Sequence, residues 1–148
     1  MTSPHPAADC AFCRIAAGTA PARLVADTGA TLAFLPLRPV HPGHVLVAPR
    51  RHVSDIWGLD EETAAAVGAQ VLRVAHAVRA VHRPDGLNVI QSSGAAATQT
   101  VPHLHVHLVP RFEGDHMPRL WPEEAETDAD ALDDSVRRIR AALPPPRP

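Results

Sequence analysis

The sequence predicts an α+β domain with a mostly antiparallel sheet and one long helix. Three observations carry this expectation. A turn signal, Asp27-Thr28-Gly29-Ala30, separates two apolar runs as in a β-hairpin. A long stretch after Asp60 repeats aliphatic residues at helical spacing. The stretch His103-Leu104-His105-Val106-His107-Leu108-Val109 alternates imidazole with aliphatic side chains. In a strand, successive side chains point to opposite faces, so the three histidines would line one face while Leu104, Val106 and Leu108 enter a core. A helix would scatter the same positions around its circumference.

The elements follow in order. Residues 1–9 are polar and Pro-containing and read as a flexible leader. Cys13–Ala17 predicts a short helix ended by Gly18. Leu24–Ala26 and Thr31–Leu35 predict the hairpin strands. Pro36 to Gly43 carries three prolines and reads as a rigid loop, since each fixes its own φ and restricts its predecessor. His44–Ala48 predicts an apolar strand. Asp60-Glu61-Glu62 starts the long helix, with a cap candidate followed by acids at the positive end of the helix dipole. Ala64, Val67, Val71, Leu72, Val74, Ala75, Val78 and Val81 then recur at its spacing, and Pro84 and Gly86 end it. Leu87–Gln91 predicts a strand, Ser92–Thr98 a loop of small residues, and Val101–Val109 the histidine strand. Trp57 reads as core or subunit interface, and Glu123–Asp134 as solvated surface. Ala131–Leu143 predicts a terminal helix, and 144–148 a disordered Pro-rich tail. One domain over 10–143 is the expected organisation.

Composition bounds the function. A chain of 148 residues suffices for one domain with a real core. The net charge of −2 leaves no basic face of the kind duplex binding requires, so no nucleic-acid partner is expected. No apolar run reaches membrane-spanning length, and the N-terminus has no basic-then-apolar signal pattern. The expectation is a cytoplasmic protein without a membrane partner.

Two constellations carry chemistry. Histidine titrates nearest neutral pH and serves as nucleophile, acid/base or metal ligand, so three on one strand face mark a chemical site. Cys10 and Cys13 form a lone C-x-x-C, which is half of a metal site, a redox pair, or two unliganded thiols. A redox pair belongs at the start of a helix after an apolar strand, whereas a polar leader precedes this one. Metal is therefore favoured, and zinc would need two further ligands.

These residues resemble the histidine triad superfamily of nucleotide-binding hydrolases and transferases. His103 to Arg111 is similar to its signature strand, Pro42 to His52 to a second conserved-looking segment of it, and Gly94 to Val101 to its phosphate loop. The Cys10–Cys13 pair is similar to the zinc-bearing bacterial branch. The resemblance runs from about Cys10 to Arg111, in one register.

The resemblance implies an α+β fold with a short N-terminal segment tied down by structural zinc, on Cys10, Cys13, His52 and His103. It implies that His105 is the nucleophile, attacking the α-phosphorus of a nucleotide to give a covalent nucleotidyl-histidine that water hydrolyses. His107, Gln99 and the amides around Thr98–Thr100 would serve the non-bridging oxygens, and His44 would orient the triad. Gln99, Thr100, His107 and Ser92 are the implied substrate contacts. A homodimer acting on a purine nucleotide, as adenosine 5′-phosphoramidate or dinucleoside polyphosphate, is the implied assembly and substrate. Three residues depart from the pattern. Pro36 stands where relatives carry an Asp or Asn that contacts the ribose, Ser92 replaces an Asn, and Thr98 replaces a Gly. The competing readings are a nucleotidyl transferase or phosphorylase, a nucleotide sensor with vestigial catalysis, and an enzyme acting on adenylated DNA ends. The last would need a basic face or an added module.

Overall fold

The computed structural model describes residues 9–118 and 120–145. The expected leader and tail therefore lie outside the described residues except for Asp9, Pro144 and Pro145. The chain divides into two units, one ending at Asp115 and one beginning at His116. Among the described residues, no helix is long and apolar enough to cross a membrane.

The first unit is a five-stranded antiparallel sheet with helices, the α+β architecture expected. Its strands are β1 (Arg23–Asp27), β2 (Thr31–Leu35), β3 (Val45–Pro49), β4 (Gly86–Gln91) and β5 (Val106–Arg111), in the order β1-β2-β3-β5-β4. The β1–β2 turn is held by Asp27, whose carboxylate accepts from the Gly29 amide at 2.9 Å. Gly29 sits at φ +81°, a left-handed conformation that glycine adopts without the penalty a Cβ brings.

Helix α1 (Ala11–Ala16) begins two residues earlier than expected. The reason is its cap: the Cys10 sulfur accepts from the Cys13 amide at 3.5 Å, so the first cysteine closes the turn that carries the second. Helix α2 (Glu61–His82) is capped as read, with Asp60 accepting from the Thr63 amide at 2.8 Å. Arg83 then turns left-handed ahead of Pro84 and ends it.

Side-chain alternation divides the core between the sheet faces. Val45, Val47, Val106 and Leu108 pack with Val67, Val74 and Val78 of α2. On the opposite face Leu32, Phe34, Leu46 and Ala48 pack with Cys10 and Phe12. The buried stripe of α2 takes in Gln70, while Leu72 and Val81, counted in the apolar repeat, are 60% and 73% exposed. They lie off the stripe, since a residue two positions from Gln70 or Val74 turns roughly 200° away. Trp57 is 78% exposed in its short 3-10 turn, which excludes it from the core of this chain.

The histidine strand also starts later than expected. Val106 is its first ladder residue, and His103 to His105 run ahead of it. There the Leu104 amide donates to the Val53 carbonyl at 2.6 Å rather than to a neighbouring strand, so the segment is bonded to a loop. In the second unit, α3 (Ala129–Ala142) begins two residues before the expected start because Asp128 accepts from the Ala131 amide.

Candidate active site and metal cluster

Two clusters meet on the sheet face opposite α2, and both are built from the histidine stretch. His107 is in register with Leu46 of β3 and Ile90 of β4, so it lies on that face. His44 immediately precedes β3, where its Nε2 comes within 2.9 Å of His107 Nδ1. His105 is 8% exposed, and its ring meets that of His107 with centroids 4.9 Å apart. The structure thus brings His44, His105 and His107 together.

Backbone groups determine the proton on each ring. The Val40 amide donates to His44 Nδ1 at 3.3 Å, so the His44 proton belongs on Nε2. That proton is donated to His107 Nδ1, which places the His107 proton on its own Nε2. His105 Nδ1 donates to the His103 carbonyl at 2.8 Å, leaving the Nε2 lone pair for attack. His103 Nε2 donates to the Pro49 carbonyl at 2.8 Å, turning its Nδ1 lone pair toward the cysteines.

Burial favours the neutral rings that this network requires. His44 and His105 are both held below the usual histidine range by loss of hydration; the His103 carbonyl partly opposes the shift for His105. His107 is pushed down to about 4 by burial first, then by His105 and His44.

The second cluster joins Cys10, Cys13, His52 and His103, whose candidate donor atoms all lie within 4.8 Å of one another. His103 Nδ1 stands 3.3 Å from Cys10 Sγ and 3.6 Å from Cys13 Sγ, and His52 Nδ1 stands 3.3 Å from Cys13 Sγ. Bonds of about 2.0–2.3 Å to nitrogen and sulfur give a zinc tetrahedron with edges of roughly 3.3–3.8 Å, so the donors fit that ion. A metal-free Cys13 thiol is pushed up to about 11 by burial and then by Cys10. A cation would reverse that preference by stabilising the thiolate.

Phe12 joins the clusters and was not singled out in the sequence. Held between the two cysteines on α1, its ring stands edge-on to His103 at 5.6 Å and to His105 at 5.2 Å. Also unseen were the Val40 amide and the Pro49 and Ser54 carbonyls. Backbone groups carry no residue-type signal, so their part in a site emerges only from the fold.

The phosphate loop lies beside the triad segment. Its Gln99 carboxamide is engaged within the chain: Oε1 accepts from the Gly94 amide at 2.7 Å, and Nε2 donates to the Ser54 and Val101 carbonyls at 2.7 and 3.0 Å. Gln99 therefore shapes the loop. Thr98 stands at φ +66°, so the residue that departs from glycine does so where a left-handed backbone is required. Thr100 is exposed and Ser92 half-buried. The Ser92 carbonyl accepts from Gln91 at 3.0 Å. Pro36, directly after β2, is half-buried and offers no side-chain acceptor.

Comparison with known proteins bears on this site. The family model described as HIT domain matches residues 17–114. An adenosine 5′-monophosphoramidase of Schizosaccharomyces pombe is 36% identical over 102 residues, covering 69% of this chain and 74% of that protein. The crystal structure of a HIT family member from Bacillus subtilis superposes with a TM-score of 0.86 at 32% identity, covering 93% of this chain and 99% of that one. A zinc-bound histidine triad family protein from Mycobacterium smegmatis superposes with a TM-score of 0.71 at 33% identity, with the same two coverages.

Proposed function

This chain belongs to the HIT domain family, and on that premise we propose that it hydrolyses nucleotide conjugates at the α-phosphorus through a covalent nucleotidyl-His105. The observation that carries the reading is the ordered set of protons. His105 offers an Nε2 lone pair while its Nδ1 proton is committed to the His103 carbonyl. A neutral imidazole so oriented is a nucleophile, and its cost of ordering is met before substrate arrives. His107 presents an Nε2 proton, fixed by His44 behind it, to a phosphoryl oxygen as charge grows there. The loop shaped by Gln99 supplies backbone amides around Thr98 and Thr100, and Ser92 lies on the same approach. Water then attacks the phosphorus of the intermediate, releasing the nucleotide and regenerating the His105 lone pair.

The family contains members named for adenosine 5′-monophosphoramidase activity, which supports a hydrolase. Adenosine 5′-phosphoramidate is the proposed substrate type, with dinucleoside polyphosphates second. Cys10, Cys13, His52 and His103 would hold a structural zinc, as the donor set and the zinc-bound relative support. Four protein ligands leave no open position, so such an ion would tie α1, and with it Phe12, to the segment carrying His105. A homodimer working in the cytoplasm completes the proposal.

The test is AMP release from adenosine 5′-phosphoramidate and diadenosine tetraphosphate, in the wild type and in His105→Ala. Release that vanishes in the variant supports the reading. Release that persists overturns the assignment of His105. With no release from either substrate, the hydrolase is replaced by a transferase or a nucleotide-binding protein.

A further inference from the structure

The second unit carries a surface that the proposed hydrolysis does not use. Along α3, Ala129, Leu132, Val136 and Ile139 are spaced three, four and three residues apart, and the C-cap Leu143 follows after four more. These are the a and d positions of two heptads, the pattern of a coiled-coil seam. Leu132, Val136, Ile139 and Leu143 are 52%, 44%, 61% and 66% exposed, and α3 has no buried residue. An isolated helix of this length is marginal in water, so a covering surface would contribute to its order.

The charges indicate what covers it. Asp130, Asp133 and Asp134 occupy the first half of the helix, and Arg137, Arg138 and Arg140 the second. Asp134 meets Arg137 at 2.9 Å and Arg138 at 3.9 Å, away from the seam. Asp133 and Arg140 instead flank the seam at position e. Among the described residues neither makes an ion pair within the chain.

We propose that α3 pairs antiparallel with α3 of a second copy of this chain. In that arrangement Val136 stacks on Ile139 of the second copy and Leu132 on Leu143. Position e faces position e, so Asp133 meets Arg140 of the second copy, and the twofold axis makes the contact twice. A parallel pair would set Asp128, at position g, against Asp133 and form no opposite-charge contact. The antiparallel arrangement also opposes the two helix dipoles. The charge pattern selects both the partner and its direction. This gives the proposed homodimer one named surface, while the hydrolase reading does not depend on it.

Sedimentation equilibrium of the full chain at low ionic strength tests this with Asp133→Arg, Arg140→Asp, an equimolar mixture of the two, and the double variant. Each single reversal creates like-charge contacts and is expected to weaken self-association about tenfold. In the mixture one protein presents only arginines at the two positions and the other only aspartates, so association returns to the wild-type level. The double variant restores it in a single protein, and Ile139→Asn abolishes it. A wild type that stays monomeric overturns the proposal. So does association indifferent to the reversals, as a dimer held by another face would give, or a mixture that behaves as the average of its parts. None of these results alters AMP release, so failure here is separable from failure of the hydrolase.

Discussion

His44 Nε2 lies 2.9 Å from His107 Nδ1, and the Val40 amide behind His44 fixes which of the two rings donates. A residue ahead of β3 thereby determines the protonation of a residue on β5, 63 positions later. Replacing His44 with Ala should free His107 to rotate and to take the other tautomer. Misplacement of about 1 Å at a reacting group costs about 10² in rate, so kcat should fall by roughly that factor while KM changes little. Steady-state kinetics on the phosphoramidate checks this, and a loss confined to KM would remove His44 from the relay.

The pH profile should be displaced to the acid side. His44, His105 and His107 all have depressed pKa values, His107 at about 4, so the neutral rings persist below the usual histidine range. The acid limb of kcat/KM should lie well below pH 6. Stability shifts in the related sense. The unfolded chain binds protons on these rings near pH 6.5, whereas the folded chain resists until lower pH. Stability present at pH 7 should therefore decline as pH falls from about 6.5 toward 4, as chemical denaturation across that range would show.

Zinc removal should reach the nucleophile through Phe12. Chelation, or Cys13→Ser, frees α1 and with it the ring standing 5.2 Å from His105. A structural ion present at about a thousandfold excess over its Kd contributes about 4 kcal/mol, which at this chain length corresponds to a Tm loss on the order of 10 °C. Calorimetry with metal analysis measures the first effect, and kcat of the surviving folded protein the second. Unchanged Tm after verified metal loss would make the cluster dispensable.

Pro36 removes the side-chain acceptor expected at the ribose. Asp or Asn there should restore it, and one hydrogen bond to the sugar, at roughly 1–1.5 kcal/mol, corresponds to about a tenfold lower KM for adenosine conjugates. Competition between adenosine and 2′,3′-dideoxyadenosine conjugates provides the check: discrimination should appear in Pro36→Asp and be small in the wild type.

Thr98 holds a β-branched side chain at φ +66°. Such a conformation costs of order 1–3 kcal/mol, and Thr98→Gly relieves it at the expense of greater freedom in the unfolded chain. The net expectation is a gain of about 1 kcal/mol, or roughly 3 °C in Tm. A lower Tm would mean that the loop is unstrained at this residue.

The sequence by itself determined the alternation that puts His105 and His107 on one strand face, because the period of a strand is independent of what it packs against. It also determined the start of α2 at Asp60 and the hairpin at Gly29, both local effects of a side chain on its own backbone. Its family resemblance brought Cys10, Cys13, His52 and His103 together before any distance was known. Tertiary structure decided the rest. The buried stripe of α2 passes through Gln70 and leaves Leu72 outside, since helical period alone does not say which side meets the sheet. The Gln99 carboxamide turns inward to Gly94, Ser54 and Val101. The tautomers of His44, His103, His105 and His107 follow from the Val40 amide and from the carbonyls of Pro49 and His103. Every residue carries such backbone groups, so only the fold could select the ones that set the protons of the site.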